Sequence, residues 1–170
     1  MEASGRCIIF GGSGYIGTML ARHFSENLRF SEIILADLQP PGIPLPDGIR
    51  FVETDVRQPV GGPLAGLKAD WLFNFAAIHR EPGHAAHEYY DTNLAGARHT
   101  CAYAEQISCQ NLFFTSSIAV YGPTPGATPE EAPKYPVTPY GISKFCAELI
   151  HEGWFRAGPG RRLIVVRPGV

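Results

Sequence analysis

The chain has 170 residues and a formal net charge of −2. This length suits one domain with a substantial core, and the near-neutral charge without basic clusters argues against binding to nucleic acid or an anionic membrane. No run of about 18 apolar residues could span a bilayer, and the first five residues are too short and too polar for a secretory signal, so we expect a cytoplasmic protein.

The first predicted element is a short apolar strand, residues 7–10, that runs into a glycine-rich turn, residues 11–17, and then into a helix. A helix N-terminus carries unpaired N–H groups and a positive dipole end, and glycine lets the backbone approach a phosphate closely. We therefore assign Gly11 to the tight turn, Gly14 to the close approach and Gly17 to the packing of helix against strand. Taken alone, the pattern also suits an ordinary strand-to-helix turn.

A second predicted strand, residues 33–36, ends in Asp37, about 20 residues past the last glycine. The intervening helix has one apolar face, made by Ile16, Leu20, Phe24 and Leu28. A carboxylate at this position accepts from both ribose hydroxyls and repels a 2′-phosphate, so Asp37 favours NAD over NADP. The alternative is a turn residue ahead of the loop of residues 39–48, which is rich in Pro and Gly.

The rest of the chain alternates strands and helices. Strands are predicted over residues 49–53, 71–77, 111–115 and 162–167, and helices over residues 88–107 and 140–155, with a weak helix at most over residues 61–68. The helix 88–107 has an apolar face of Tyr90, Leu94, Ala97, Cys101 and Ala104. Six prolines make residues 123–139 a long loop, of a kind that usually covers something.

This alternation predicts a doubly wound parallel sheet with helices on both faces, an α/β/α sandwich in one domain over residues 1–170. The chain ends just after a strand with a buried pattern, and we expect it to be a truncated piece of something longer.

The cysteines and histidines are not expected to bind metal. No Cys-x-x-Cys pair occurs among the four cysteines, which are Cys7, Cys101, Cys109 and Cys146. We expect small buried or half-buried hydrophobes in a reducing compartment. A metal site at His84 and His87 would need further ligands nearby, and a solvated loop is the favoured interpretation there.

Three residues form a candidate catalytic group. Tyr140 and Lys144 are four apart on a predicted helix and share a face, so the lysine charge should stabilise a phenolate and lower the pKa of Tyr140. That spacing is common by chance and alone would indicate a solvated lysine. Ser117 adds weight because it follows the carboxyl end of a predicted parallel strand, where open α/β sheets bind ligands. Its hydroxyl could hold a reacting oxygen while Tyr140 takes or gives the proton.

Eight stretches match one family in its order and approximate spacing. They are Gly11-x-x-Gly14-x-x-Gly17, Asp37-Leu38, Asp55-Val56, Phe75-Ala76-Ala77, Tyr89-Tyr90-Asp91-Thr92-Asn93, Ser116-Ser117-x-x-Val120-Tyr121-Gly122, Tyr140-x-x-x-Lys144 and Arg167-Pro168. On these residues the chain resembles an extended short-chain dehydrogenase/reductase, specifically the NAD-dependent epimerase/dehydratase family that acts on nucleotide sugars. The resemblance implies a Rossmann fold and NAD as cofactor.

The resemblance also implies roles for single residues. Gly11, Gly14, Tyr15, Ile16 and Gly17 would surround the pyrophosphate, Asp37 and Leu38 would hold the adenosine ribose, and Asp55 and Val56 would flank the adenine. Phe75, Ala76, Ala77 and Thr115 would line the cofactor, Asn93 would support the nearby loops, and Pro168 would lie beside the nicotinamide carboxamide. Ser117 and Tyr140 would be the catalytic pair, and Lys144 would bind the nicotinamide ribose and lower the pKa of Tyr140.

Within this family an epimerase is the favoured function: a sugar hydroxyl is oxidised transiently by hydride transfer to NAD, with Tyr140 as base, and the hydride then returns to give an epimer. A 4,6-dehydratase carries an Asp-Glu pair after the catalytic Ser or Thr, where this chain has Ile118 and Ala119. A reductase typically prefers NADP, which Asp37 argues against.

Two further alternatives stay open because the family's C-terminal substrate lobe would follow the last residue of this chain. One is a dinucleotide-binding module without turnover, and the other is a regulatory relative that binds NAD and a partner protein. The resemblance also suggests a homodimer through the helices 88–107 and 140–155. Phe145, Leu149 and Trp154 would then serve that interface or pack on the sheet.

Overall fold

The computed structural model describes residues 4–169. The strands in this range are β1 (Arg6–Phe10), β2 (Glu32–Asp37), β3 (Ile49–Glu53), β4 (Trp71–Asn74), β5 (Asn111–Thr115) and β6 (Arg162–Val166). The α-helices are α1 (Tyr15–Glu26), α2 (Ala86–Gln106) and α3 (Pro139–Arg156), and short 3₁₀ turns lie at Gly62–Leu64 and Ile118–Tyr121.

The strands form one sheet in the order β3-β2-β1-β4-β5-β6, and every pairing is parallel. The predicted doubly wound sheet is therefore confirmed. The order reverses between β1 and β4, and the carboxyl ends of these central strands flank the crevice where such sheets bind ligands.

The side chains of β1 alternate between two hydrophobic cores. Ile8 and Phe10 join a cluster with residues of α2 and α3, whereas Cys7 and Ile9 join a cluster with residues of α1. All four are fully buried. The sheet thus lies between two helical layers, and burial on both faces explains the short continuous apolar runs of its central strands. The buried pattern expected of the last strand is not found, because the residues of β6 are exposed or half-buried along its whole length.

Helix α1 approaches the sheet through small residues rather than through the apolar face that the sequence predicts. Its buried residues are Gly17, Thr18 and Ala21, and Leu20 and Phe24 pack at the edge of the core. The prediction was wrong for Ile16 and Leu28, which are 49% and 60% exposed. Leu28 follows the end of the helix and has a φ of 48°.

Two other predicted details need correction. Strand β4 ends at Asn74, not at residue 77, because the chain leaves the sheet where Ala76 packs against the backbone of Gly11. On α2, Ala97, Cys101 and Ala104 are buried as expected. Tyr90 and Leu94 are only partly buried, because Tyr89 and Asn93 occupy the inner face instead.

The four cysteines are free thiols. Cys7, Cys101 and Cys109 are buried, and Cys146 is half-buried.

Helix α3 has one side chain in the core and one on the surface among those considered for an interface. Trp154 packs into the core, whereas Leu149 remains 51% exposed. Between residues 4 and 169, none of the helices combines the length and the apolarity that crossing a bilayer requires.

Candidate functional site

Glycine is required at three positions of the turn between β1 and α1. Gly11 has a φ of +72°, and a Cβ there would lie 2.5 Å from the backbone nitrogen of Ala76. A Cβ on Gly12 would lie 2.6 Å from the carbonyl oxygen of Ile9, and one on Gly17 would lie 2.6 Å from that of Gly12. The turn, the strand and the helix are therefore packed backbone to backbone. Sequence reasoning had not singled out Gly12.

Gly14 differs from these glycines because it is exposed. It is the N-cap residue of α1, and no side chain of the described residues caps this helix end. Tyr15 follows with 82% of its surface exposed. The hydroxyl of Ser13 is buried and has no hydrogen-bond partner within residues 4–169. The first-turn N–H groups of α1 thus offer an open site for an anion.

Asp37 connects the end of β2 to this turn. Its Oδ2 accepts a hydrogen bond from the Ser13 N–H at 3.0 Å, and its Oδ1 accepts one from the Leu38 N–H at 2.8 Å. The carboxylate is half-buried and Leu38 is 47% exposed. The residue that the sequence assigns to the ribose therefore lies beside the turn that it assigns to the pyrophosphate.

The loop after β3 is arranged around Asp55. Its carboxylate pairs with Arg57 at 2.7 Å, and this hydrogen bond holds the pKa of Asp55 below its ordinary value. The side chain of Val56 belongs to the core, and the Val56 carbonyl lies 2.8 Å from Nδ1 of His99. Of the pair predicted to flank adenine, Val56 is therefore buried.

Asn93 on α2 joins the segment after β4 to α3. Its Oδ1 accepts from the Ile78 N–H at 2.9 Å, and its Nδ2 donates to the Ile78 carbonyl at 3.1 Å and to Oγ of Ser143 at 2.8 Å. Ser143 in turn donates to the Tyr140 carbonyl at 2.7 Å. One buried amide thus fixes the segment that contains Phe75, Ala76 and Ala77 relative to the helix turn that carries Tyr140.

The ends of β5 and β6 come together near Ser117. Ser117 caps the 3₁₀ turn Ile118–Tyr121, where its Oγ accepts from the Ala119 N–H at 3.1 Å. The Ile118 N–H donates to the carbonyl of Pro168 at 3.3 Å. Thr115, at the end of β5, pairs in register with Val166 of β6. These three predicted site segments therefore meet at the carboxyl edge of the sheet.

Tyr140 lies in the first turn of α3 close to Ser117. Burial raises the pKa of Tyr140, a hydrogen bond with the Ser117 side chain opposes this rise, and the charge of Glu81 adds to it. The ring of Tyr89 lies 6.2 Å from that of Tyr140. The structure thus brings the predicted serine and tyrosine together.

The expected effect of Lys144 on Tyr140 is not observed. We expected the lysine charge to lower the pKa of Tyr140, but that pKa is raised because burial outweighs the hydrogen bond from Ser117. Lys144 is 3% exposed, and its Nζ lies 4.6 Å from the centroid of the Phe114 ring. Burial lowers the pKa of Lys144 itself to about 8, against an opposing effect of Glu148.

Sequence reasoning missed a buried ionic group one turn further along α3. Glu148 is fully buried and is bound by Arg167 and Lys134. The signal was present, since Tyr140, Lys144 and Glu148 recur at intervals of four residues and so share one helix face.

The two histidines considered as possible metal ligands, His84 and His87, lie on either side of the start of α2. His84 pairs with Glu88 at 3.6 Å, and His87 lies in the first turn of α2 rather than in a loop. In the part of the chain that the structure describes, no cluster of three potential ligands is present.

The parallel sheet, the glycine turn and the acid after β2 define a doubly wound dinucleotide-binding domain. The sequence model of the NAD dependent epimerase/dehydratase family matches residues 7–170. The chain therefore belongs to this NAD-dependent family, as the eight matching stretches had indicated.

Individual relatives cover nearly all of this chain. It is 32% identical to N-acetyl-alpha-D-glucosaminyl-diphospho-ditrans,octacis-undecaprenol 4-epimerase of Escherichia coli O157:H7, over 96% of this chain and 48% of that protein. It is 29% identical to UDP-glucose 4-epimerase of Streptomyces lividans, over 88% of this chain and 47% of that protein. A crystal structure of UDP-galactose 4-epimerase superposes with a TM-score of 0.84 at 26% identity, covering 95% of this chain and 55% of that one. The chain thus spans about half the length of these relatives.

Proposed function

We propose that this chain is the NAD-binding half of a nucleotide-sugar epimerase, in which a sugar hydroxyl is oxidised transiently. The observation that carries the proposal is the meeting of Ser117 and Tyr140 at the carboxyl edge of the sheet. Helix α3 packs closely on the turn that Ser117 caps, since a Cβ on Gly141 would lie 2.6 Å from the Ala119 carbonyl oxygen. A hydroxyl and a phenol from these two adjacent segments can hold one sugar oxygen and move its proton. The relatives named 4-epimerases support the same reaction class.

The glycine turn fits NAD as the cofactor. The N–H groups of the first turn of α1 and the open surface at Gly14 suit a pyrophosphate, and the orphaned Ser13 hydroxyl is a further polar group in the turn. We assign Asp37 to the adenosine ribose, where its negative charge disfavours a 2′-phosphate. The other cofactor contacts proposed from the sequence, including Asp55 and Pro168, remain assignments to be tested.

Each catalytic residue has a distinct task in the proposal. Bound NAD supplies the electron-pair acceptor that makes the oxidation of a carbinol reversible. Oη of Tyr140 takes the proton of the sugar hydroxyl, and Oγ of Ser117 holds the oxygen from which the proton leaves. Because burial raises the pKa of Tyr140 in this chain, we expect proton removal to become faster as the pH rises above neutrality.

Lys144 has a separate task in the proposal. Its ammonium is buried over the ring of Phe114, and we propose that it donates a hydrogen bond to the nicotinamide ribose. The pKa of about 8 leaves this cation mainly protonated at neutral pH. Lys144→Met should therefore weaken NAD binding as well as turnover.

The test is incubation of the protein with NAD and UDP-glucose, with other UDP-, GDP- and dTDP-sugars in parallel, followed by NMR analysis of the sugar products. We expect an epimer without net reduction of NAD. Tyr140→Phe should reduce the rate by about 10²-fold or more, since it removes the proton acceptor. Tyr135→Phe is the matched control, because Tyr135 is 72% exposed.

Net formation of reduced cofactor together with an oxidised sugar would contradict the epimerase proposal and indicate a dehydrogenase. Loss of water from the sugar would indicate a dehydratase. Equal rates for wild type and Tyr140→Phe would contradict the proposed base.

We also propose a homodimer through α2 and α3, where the exposed Leu149 and Phe155 lie on the surface of α3. Analytical ultracentrifugation tests that assembly.

A further inference from the structure

The buried carboxylate of Glu148 is the centre of an ionic group that joins three parts of the chain. Glu148 has no exposed surface. Arg167 binds it in a bidentate manner, with Nε 2.7 Å from Oε1 and Nη2 3.0 Å from Oε2, and Nζ of Lys134 lies 3.2 Å from Oε2. A buried carboxylate requires such partners, because an isolated charge in the protein interior is strongly destabilising.

Arg167 extends this group to the segment that begins at Ser117. Its Nη1 donates to the hydroxyl of Tyr121 at 2.8 Å, and its guanidinium lies 5.4 Å from the centroid of the same ring. The Tyr121 hydroxyl donates to the carbonyl of Glu130 in the long loop at 2.9 Å. Tyr121 closes the 3₁₀ turn that Ser117 caps.

Three residues of this network are therefore close in sequence to proposed site residues. Glu148 lies one helical turn beyond Lys144, Arg167 immediately precedes Pro168, and Tyr121 ends the turn that begins at Ser117. The group needs neither the cofactor nor the sugar to form. It fixes α3, the end of β6 and the loop after β5 relative to one another.

We propose that Glu148 is a positioning residue of the site: it anchors Arg167 beside Pro168, and it places a buried negative charge one helical turn from the Lys144 ammonium. This inference rests on the proposed function, in which the Lys144 ammonium binds the nicotinamide ribose. Glu148 itself touches neither reacting atom.

The surroundings of Lys144 support the electrostatic part. On its own helix the titratable neighbours of Lys144 are Tyr140, Glu148 and His151. Arg167, after β6, and Lys134, in the long loop, both bind the carboxylate of Glu148. Strand β5 contributes the uncharged ring of Phe114. Glu148 favours the charged form of Lys144, whereas burial disfavours it. Without this carboxylate, burial acts unopposed.

The experiment compares Glu148→Gln, Arg167→Gln and a matched control, Glu152→Gln. Glu152 lies one turn further along α3 and pairs with the exposed Arg156 at 3.5 Å. The titration of the Lys144 side chain is followed by NMR without cofactor, its signal being assigned by its loss in Lys144→Met. NAD affinity is measured by calorimetry across the same pH range.

We expect the titration midpoint of Lys144 to move to lower pH in Glu148→Gln and to higher pH in Arg167→Gln, because the second change leaves the carboxylate less neutralised. The control should leave it unchanged. NAD affinity of Glu148→Gln should fall about tenfold near neutral pH, as expected when a charged hydrogen-bond donor becomes neutral. Opposite shifts are a signature that a merely structural role does not produce.

An unmoved midpoint in both variants, or unchanged NAD affinity in Glu148→Gln, would overturn the proposal. If Glu148→Gln does not fold, Arg167→Gln still decides, since Lys134 remains to pair with the carboxylate and the midpoint must then rise. The Lys144 titration involves no sugar and no turnover, so its failure is distinct from failure to observe an epimer.

Discussion

The imidazole of His151 stacks on the ring of Phe114, with centroids 4.1 Å apart and planes inclined by 16°. The histidine is fully buried, its Nδ1 donates to the Ala147 carbonyl at 2.7 Å, and its Nε2 accepts from Asn74 at 3.3 Å. This arrangement requires the neutral ring. Burial, together with the nearby Lys144 charge, lowers the pKa of His151 to about 4.

Protonation of His151 should therefore destabilise the fold in acid. An unfolded histidine titrates near pH 6.5, so between about pH 6.5 and pH 4 the unfolded chain binds a proton that the folded chain does not. The free energy of unfolding should fall over this range by on the order of 3 kcal/mol. Urea denaturation at a series of pH values measures it. His151→Gln should flatten the slope, and an unchanged slope in that variant would contradict this account.

The glycine turn predicts different effects at two positions. Gly14→Ala adds a Cβ at an exposed residue with a φ of −68°, 3.3 Å from the Gly11 carbonyl oxygen, so NAD affinity should fall while stability falls much less than in the variant at Gly17. Gly17→Ala places a Cβ 2.6 Å from the Gly12 carbonyl oxygen, and the strain should reduce stability by about 1–3 kcal/mol. Thermal denaturation and calorimetric titration of both variants separate the effects. Equal losses of stability in the Gly14 and Gly17 variants would contradict the close packing of Gly17 against the Gly12 carbonyl.

Asn93 should control the order of the segment after β4. Asn93→Ala removes the acceptor of the Ile78 N–H, whereas Ser143→Ala leaves that acceptor in place and removes only one partner of the Asn93 amide. Hydrogen exchange at the Ile78 amide should accelerate strongly in the Asn93 variant and much less in the Ser143 variant. Similar exchange in wild type and Asn93→Ala would mean that the segment is held by other contacts.

The sequence was most informative where the backbone alone decides the structure. Strand β3 and strand β5 were predicted with their observed bounds, because short apolar runs between turns suit strands buried in a parallel sheet. The glycine turn could be located because only glycine fits at Gly11 and Gly17, where a Cβ atom would lie within 2.6 Å of backbone atoms. The placement of Asp37 beside that turn followed from the same spacing.

The features that could not be predicted depend on contacts between side chains that are distant in the sequence. The spacing of Tyr140 and Lys144 places both on one helix face, but it does not show that the Lys144 ammonium lies over Phe114. Nor does a helical repeat show that Glu148 is fully buried, since its partners Arg167 and Lys134 come from segments distant in the sequence. Such tertiary pairings decide the electrostatics of the site.

The most direct test of the central claim is calorimetric titration of the chain with NAD and, separately, with NADP. Wild type should bind NAD more tightly than NADP. Asp37→Ala should weaken NAD binding by roughly tenfold, because a charge-assisted contact to the ribose is lost. The difference between the affinities for NAD and NADP should then become smaller. Asp47→Ala, in the exposed loop before β3, is the matched control, and circular dichroism checks that each variant is folded. Absence of binding to either cofactor, or NAD affinity unaffected by Asp37→Ala, would contradict the assignment of the glycine turn and Asp37 as the NAD site.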